Sequence, residues 1–219
     1  MKGVRLGILG VLIVALFAAP APLFSVLMQR CLIFSICENA KNTELVPALY
    51  IFGDSTVDAG NNNNLSTTAR ADSLPYGIDF NYTATGRFTN GMTVADYFAR
   101  FLGLPFAPPY MNLSELERRT TLSKLQSQLH GSFSVHTDTF KFLQELKENK
   151  EKYGITDTQN ACWEGKHDPC PERDRYIYFD SAHPSRITNS IFATRCFNES
   201  SICTPMNNIM QLVSAGADQ

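Results

Sequence analysis

Short apolar runs alternate along this chain with stretches whose apolar residues recur at helical spacing. Residues 47–52, PALYIF, form a continuous apolar run ending at Gly53, which predicts a buried strand. The following DSTVDAGNNNN is rich in turn and cap formers. Within TVADYFARFLG, Val94, Phe98, Phe101 and Leu102 share one helical face; Asn90 or Thr93 supplies the cap and Gly103 the stop. LPFAPPY then reads as a surface loop. Residues 132–137, SFSVHT, predict a second strand. DTFKFLQELKENKEKYG predicts a helix with Phe142, Leu143 and Leu146 inward and Gly154 as its stop. YIYF, at 176–179, is a further extended piece. Pro184 opens another helix, as suits a residue without an N–H at the first helical position, with Ile187 and Ile191 on one face. Strand and helix in alternation predict an α/β layered fold.

One segment breaks the pattern. NLSELERRTTLSKLQSQLHG is helical throughout, with Leu113 and Leu116 on one face and Leu122, Leu125 and Leu129 on another. The step from Leu116 to Leu122 turns a helix by about 600°, so the two stripes point to different sides. The phase break near Arg119–Thr121 predicts a kink, two helices, or a seam between segments that did not evolve as neighbours.

The N-terminus has its own pattern. Lys2 and Arg5 precede residues 6–28, which carry no charge. Basic residues before an apolar run read as a secretory signal; the same length would also span a bilayer as an anchor. Pro20 and Pro22 interrupt the run and leave 6–19 as a signal-sized core, so residues 1–40 are expected to be a cleaved leader and 41–219 a single domain. A second apolar patch, 31–37, fits neither reading.

Composition and charge narrow the function. With 44% hydrophobic residues the chain can build a core, and 19 basic against 21 acidic residues leave a net charge of −2. There is no positive footprint for nucleic acid. Four N-x-S/T sequons, at Asn64, Asn81, Asn112 and Asn198, agree with secretion and predict glycosylation. Cys31 and Cys37 fall in the leader region. The other cysteines form two close pairs, Cys162 with Cys170 and Cys196 with Cys203, which an oxidising compartment would close as short disulfide loops. Cys162, His167 and Cys170 are an alternative zinc trio without a fourth ligand at a recognisable spacing.

The candidate chemistry lies in two distant stretches. In YFDSAHPS, Asp180 stands three residues before His183 and could accept a hydrogen bond from one imidazole nitrogen, leaving the other as a general base. The bland alternative is an aspartate cap beside a surface histidine. In YIFGDSTVDAG, Ser55 follows a strand on a strand-to-helix turn, where its hydroxyl would stand at the carboxyl edge of a sheet and its own amide would serve as an oxyanion donor. A lone GDS is more often a cap than a nucleophile.

Together these stretches resemble the plant GDSL esterase/lipases of the SGNH hydrolase superfamily. YIFGDSTVDAGNNNN matches the first block, with Thr56 where leucine is usual, and PYGIDFNYTATGRFTNGMTVADYFARFLGLPFAPPYMN continues the match. FDSAHPS matches the last block, with Ser185 where threonine is usual; KYGITDTQNAC and CTPMNNIMQLV also resemble the C-terminal region. The resemblance implies a flavodoxin-like three-layer fold, Ser55 as nucleophile, His183 as base, Asp180 as its orienter, and hydrolysis of lipid or acylated polysaccharide esters through an acyl-enzyme. It implies no cofactor, no metal, and no stable membrane insertion once a leader is removed. His130, His136 and His167 match no catalytic block and are read as surface or structural. The family's second block glycine and its G-x-N-D asparagine, which complete the oxyanion hole, are missing from this sequence. The expectation is therefore an internal deletion near Arg119–Thr121, an incomplete sheet lacking central strands, and either a weakened esterase or a non-catalytic remnant.

Overall fold

The computed structural model describes residues 13–16, 44–128, 133–199, 201–204 and 208–217. Strand β1, Ile13–Leu16, is followed by β2, Leu49–Phe52. Two 3-10 turns then carry the GDS and NNNN stretches. Helix α1 spans Val94–Phe101 and α2 spans Glu115–Gln128. Strand β3, Phe133–Thr137, leads into α3, Thr139–Glu148. Strands β4, Asp157–Ala161, and β5, Tyr176–Tyr178, precede α4, Arg186–Asn198. The short β6, Cys203–Thr204, and helix α5, Ile209–Ala217, follow.

Helices and strands mix as the sequence predicts, but the sheet differs. The expected arrangement is a parallel sheet with helices on both faces. The described residues instead form a four-stranded sheet in the order β2-β1-β3-β6, every pair antiparallel, and a separate parallel pair of β4 and β5. The connection explains this. A parallel neighbour for β2 needs a crossover that returns to its edge. Here α1 and α2 lead on to β3, and β1 lies between the two, with Val14 opposite both Ile51 and Val135. Residues 13–16 of the expected leader thus satisfy the backbone of β2; the rest of that leader, including Cys31 and Cys37, lies outside the described residues. The sequence also led us to expect β2 as a buried strand. It is an edge strand, with Phe52 49% exposed.

The helices follow local chemistry. Thr93, not Asn90, caps α1: its hydroxyl accepts from the Asp96 amide while the Asp96 carboxylate accepts from the Thr93 amide. Phe98 and Leu102 are buried, and Gly103, at φ +73°, turns the chain out. Asp138 caps α3, which buries Phe142 and Leu146 and leaves Leu143 half-buried; Gly154 ends the following turn in the left-handed region. Helix α2 runs without a break through Arg119–Thr121, so the segment is one helix and not two. The cost of the phase break is seen in packing: Leu116 is 75% and Leu122 50% exposed. Ser114 and Glu117 cap its start reciprocally.

The core gathers Phe98 and Leu102 of α1, Val135, Phe142 and Leu146, Ile177 of β5, Phe192 and Cys196 of α4, and Ile209 and Leu212 of α5. Helix α4 packs against α1, α5 and β5. It begins at Arg186, two residues later than expected. Ser185 is its cap and accepts from the Thr188 amide, whereas Pro184 lies in an isolated bridge to Tyr178 and His183 precedes both. The Ser185 N–H donates to the Ile177 carbonyl, so 183–185 run extended beside β5 before the helix can start.

Candidate active site

Ser55 stands on a single 3-10 turn, Ser55–Val57, directly after β2. Asp54, not Ser55, caps that turn, accepting from the Thr56 amide at 2.9 Å and the Thr56 hydroxyl at 2.6 Å. The serine hydroxyl is left to face across the molecule, where its Oγ lies 2.8 Å from His183 Nε2. On the other side of the imidazole, Nδ1 lies 2.8 Å from Asp180 Oδ2 and 2.9 Å from Oδ1. An ionised carboxylate only accepts, so the ring proton sits on Nδ1 and Nε2 is left as the acceptor facing serine. The structure therefore brings together in one hydrogen-bonded line three residues from both ends of the chain.

Asp180 is a cap and an orienter at once. Its Oδ1 accepts from the amides of Ala182 at 2.8 Å and His183 at 2.7 Å, closing the turn that presents the imidazole. Its Oδ2 also accepts from the Tyr76 hydroxyl at 2.8 Å. Asp180 is 8% exposed, and burial alone would raise its pKa; the His183 contact, the Ala182 amide and the Tyr76 hydroxyl outweigh that and hold it below the ordinary carboxylate value. Burial, then the neighbouring Asp180 charge, pushes the Tyr76 hydroxyl well above the ordinary tyrosine value, so it stays protonated as a donor.

An aromatic cage holds these groups. Phe88 stacks on the His183 ring at 4.7 Å between centroids, and the Tyr76 ring meets Phe88, Trp163 and Phe179 edge-on. Sequence reasoning did not single out Tyr76 or Phe88 for the site. Both lie in the quoted PYGIDF and GRFTNG stretches, but nothing local marks a tyrosine as the partner of an acid one hundred residues away.

The serine turn is tied to this cage through backbone packing. Gly60, at φ +124°, and Gly86, at φ +97°, lie so close that a Cβ on Gly86 would collide with the Gly60 backbone. Next to Gly86, Arg87 is 6% exposed and makes two hydrogen bonds to Asp96, at 2.7 and 2.8 Å, linking the loop to the cap of α1.

The other expected sites are placed as follows. Cys162 bonds to Cys170 and Cys196 to Cys203, which removes both sulfurs from the zinc alternative. Among the described residues no group of acidic, histidine and cysteine side chains is arranged to hold a metal. His136 and His167 are exposed, and His130 lies outside the described residues. Asn64, Asn81, Asn112 and Asn198 are all exposed. Among the described residues no helix is long and apolar enough to cross a membrane.

A serine, a histidine and an aspartate in one hydrogen-bonded line have the arrangement that serine hydrolases use. Comparison with known proteins agrees in kind. Residues 49–142 match the family described as GDSL-like Lipase/Acylhydrolase. The chain is 60% identical over 75 residues to GDSL esterase/lipase 7 of Arabidopsis thaliana, a stretch covering 34% of this chain and 20% of that protein. It is 50% identical over 88 residues to GDSL esterase/lipase 6 of the same plant, covering 40% of this chain and 24% of that one. By these matches the chain is similar to plant GDSL esterase/lipases, and the matched stretch spans about a quarter or less of each relative's length. No solved structure matches it.

Proposed function

We propose that this chain carries a secreted serine esterase site in which Ser55 attacks the carbonyl carbon of a carboxylic ester. His183 Nε2 takes the serine proton and returns it to the departing alcohol, and water then releases the acyl group from Ser55 by the same base. Asp180 keeps the imidazole in the required tautomer. The observation that carries this reading is the pair of 2.8 Å contacts on either side of His183. The class of substrate, a lipid or acylated polysaccharide ester, follows from the family alone. Four exposed sequons and two disulfides support the secretory setting.

The site is also depleted. The Ser55 amide is the donor that the sequence retains for the developing oxyanion; the family's glycine and G-x-N-D asparagine have no counterpart. Each missing donor costs ~2.7–4 kcal/mol, or ~10²–10³ in rate. The exposed leucines of α2 fit the same picture, being what a helix displays when its packing partners are not supplied. The chain is accordingly an internally shortened family member whose nucleophile is assembled but whose steady turnover is poor. The second reading, a non-catalytic remnant, rests on that same missing block. The two are separated by mixing the purified chain and its Ser55→Ala variant with p-nitrophenyl acetate. A single burst of nitrophenolate, up to one equivalent, that depends on Ser55 supports the esterase site. Identical traces from both proteins would leave the remnant.

A further inference from the structure

We propose that the cavity beside Ser55 is an acyl pocket selecting an uncharged, saturated acyl group of about six carbons. This rests on the esterase reading of the same site and adds to it the substrate's acid half. The cavity measures about 170 Å³ and is lined in part by Ser55 and His183. Its walls are mostly apolar, from Val57, Val94, Phe142, Leu143 and Phe192, with Thr137, Thr188 and Asn189 adding polar groups. A cavity of ~150 Å³ lined by such side chains stays dry and holds benzene, so six carbons is the matching size.

Charge and rigidity set the selectivity. Among the described residues no lysine or arginine lines the cavity while Asp54 does, so an acyl group ending in a carboxylate would be repelled without a compensating cation. Phe142 is 1% exposed and meets Phe192 edge-on at 4.8 Å, so the inner wall is packed core that does not open cheaply for a longer chain. One wall atom is polar and unmatched. Thr137 Oγ1 is buried with no hydrogen-bond partner among the described residues. A plain alkyl chain packed against it leaves that hydroxyl without a partner, so exchanging the hydroxyl for a methyl group favours the chain.

The test separates pocket from nucleophile. Methyl esters of acetic, hexanoic and dodecanoic acids are titrated into the full Ser55→Ala chain, following the methyl NMR signals of Val57 and Leu143. Affinity should rise about fourfold per methylene up to hexanoate and then stop rising. Leu143→Trp, at a half-buried position, should abolish the hexanoate response with circular dichroism unchanged; Val57→Phe is the second filling variant should the first not fold. Thr137→Val should tighten hexanoate binding. A flat series, a dodecanoate preference, indifference to both filling variants, or loss of affinity in Thr137→Val would each overturn the pocket as stated. In parallel, wild-type protein is treated with ethyl p-nitrophenyl alkylphosphonates. Ser55 Oγ bonds to phosphorus, p-nitrophenolate leaves, and His183 takes the serine proton. Labelling of Ser55 with a hexyl optimum supports the pocket again. Binding with that optimum but no labelling keeps the pocket and sinks the nucleophile.

Discussion

Tyr76→Phe removes one oxygen and leaves a ring that can keep its edge-on contacts with Phe88, Trp163 and Phe179. What is lost is the 2.8 Å hydrogen bond to Asp180 Oδ2. A hydrogen bond to a charged group is worth ~1.5–3 kcal/mol and one to a neutral group ~0.5–1.5 kcal/mol. The folded pKa of Asp180 is depressed, so its ionised form contributes stability that is present above the unfolded carboxyl value of ~3.9 and lost as pH falls through the folded value. Tyr76 is one of the groups lowering that pKa, so the variant's Asp180 should titrate higher and its acid loss begin at a higher pH. Urea denaturation should therefore show a penalty of ~1.5–3 kcal/mol at pH 7 that is smaller at pH 3, because the stability tied to the carboxylate charge begins to be lost below the unfolded carboxyl value. If the hydrogen bond also steadies the imidazole, the downfield Nδ1 proton resonance of His183 should shift in the variant. An equal penalty at both pH values, or none at pH 7, would refute the assignment of Tyr76 to the aspartate charge.

Asp96→Ala should be among the most damaging single changes, about 3–5 kcal/mol by urea denaturation, because it leaves Arg87 buried and unpaired and removes half of the α1 capping box. Opening either disulfide should cost about 2–3 kcal/mol, since each closes a short loop of 7 or 8 residues' separation; cysteine-to-serine pairs measured by thermal unfolding check this. Expressed in a secretory host, the chain should lose mass on glycosidase treatment, and the loss should fall stepwise as Asn64, Asn81, Asn112 and Asn198 are changed to Gln.

The parts of the fold that a short window specifies were legible. The Thr93 cap, the Gly103 and Gly154 stops and the buried Phe98, Phe142 and Leu146 all follow from periodicity and cap chemistry. Features decided by remote partners were not. Residues 13–16 carry no mark of a sheet strand, because their pairing depends on an open backbone edge on β2. Strand β4, DTQNA, has no apolar pattern and exists by pairing in parallel with β5. Pro184 fitted a first helical position by propensity, but the β5 backbone held 183–185 extended and moved the start to Arg186. The site divides in the same way. Ser55, Asp180 and His183 stood out as motif residues, whereas Tyr76 and Phe88 acquire their roles only when the chain's two ends meet.

How those ends meet bears on how the site is held where the described residues form only a small sheet. In the expected fold a central sheet would present serine, aspartate and histidine at one edge. Here the link runs through side chains of residues 76–96. Asn90 accepts from the Arg186 amide at 2.8 Å and donates to Asp79 at 2.7 Å, while Asp79 takes two hydrogen bonds from Arg173, at 2.7 and 2.8 Å. Asn189 of α4 donates to the Met92 carbonyl at 3.1 Å. Tyr76 holds Asp180, Phe88 covers His183, and Gly86 packs on the turn that follows Ser55. The Asp79–Arg173 pair is only partly exposed, and its partners come from segments almost a hundred residues apart, so it restrains geometry as well as adding energy. This clamp is built from residues outside strands β2 and β5. It accounts for an aligned Ser55, His183 and Asp180 in a chain whose sheet is small. It also leaves the proposed weakness in place: the clamp aligns Ser55 with His183, while the oxyanion donors that the resemblance implies have no counterpart in the sequence.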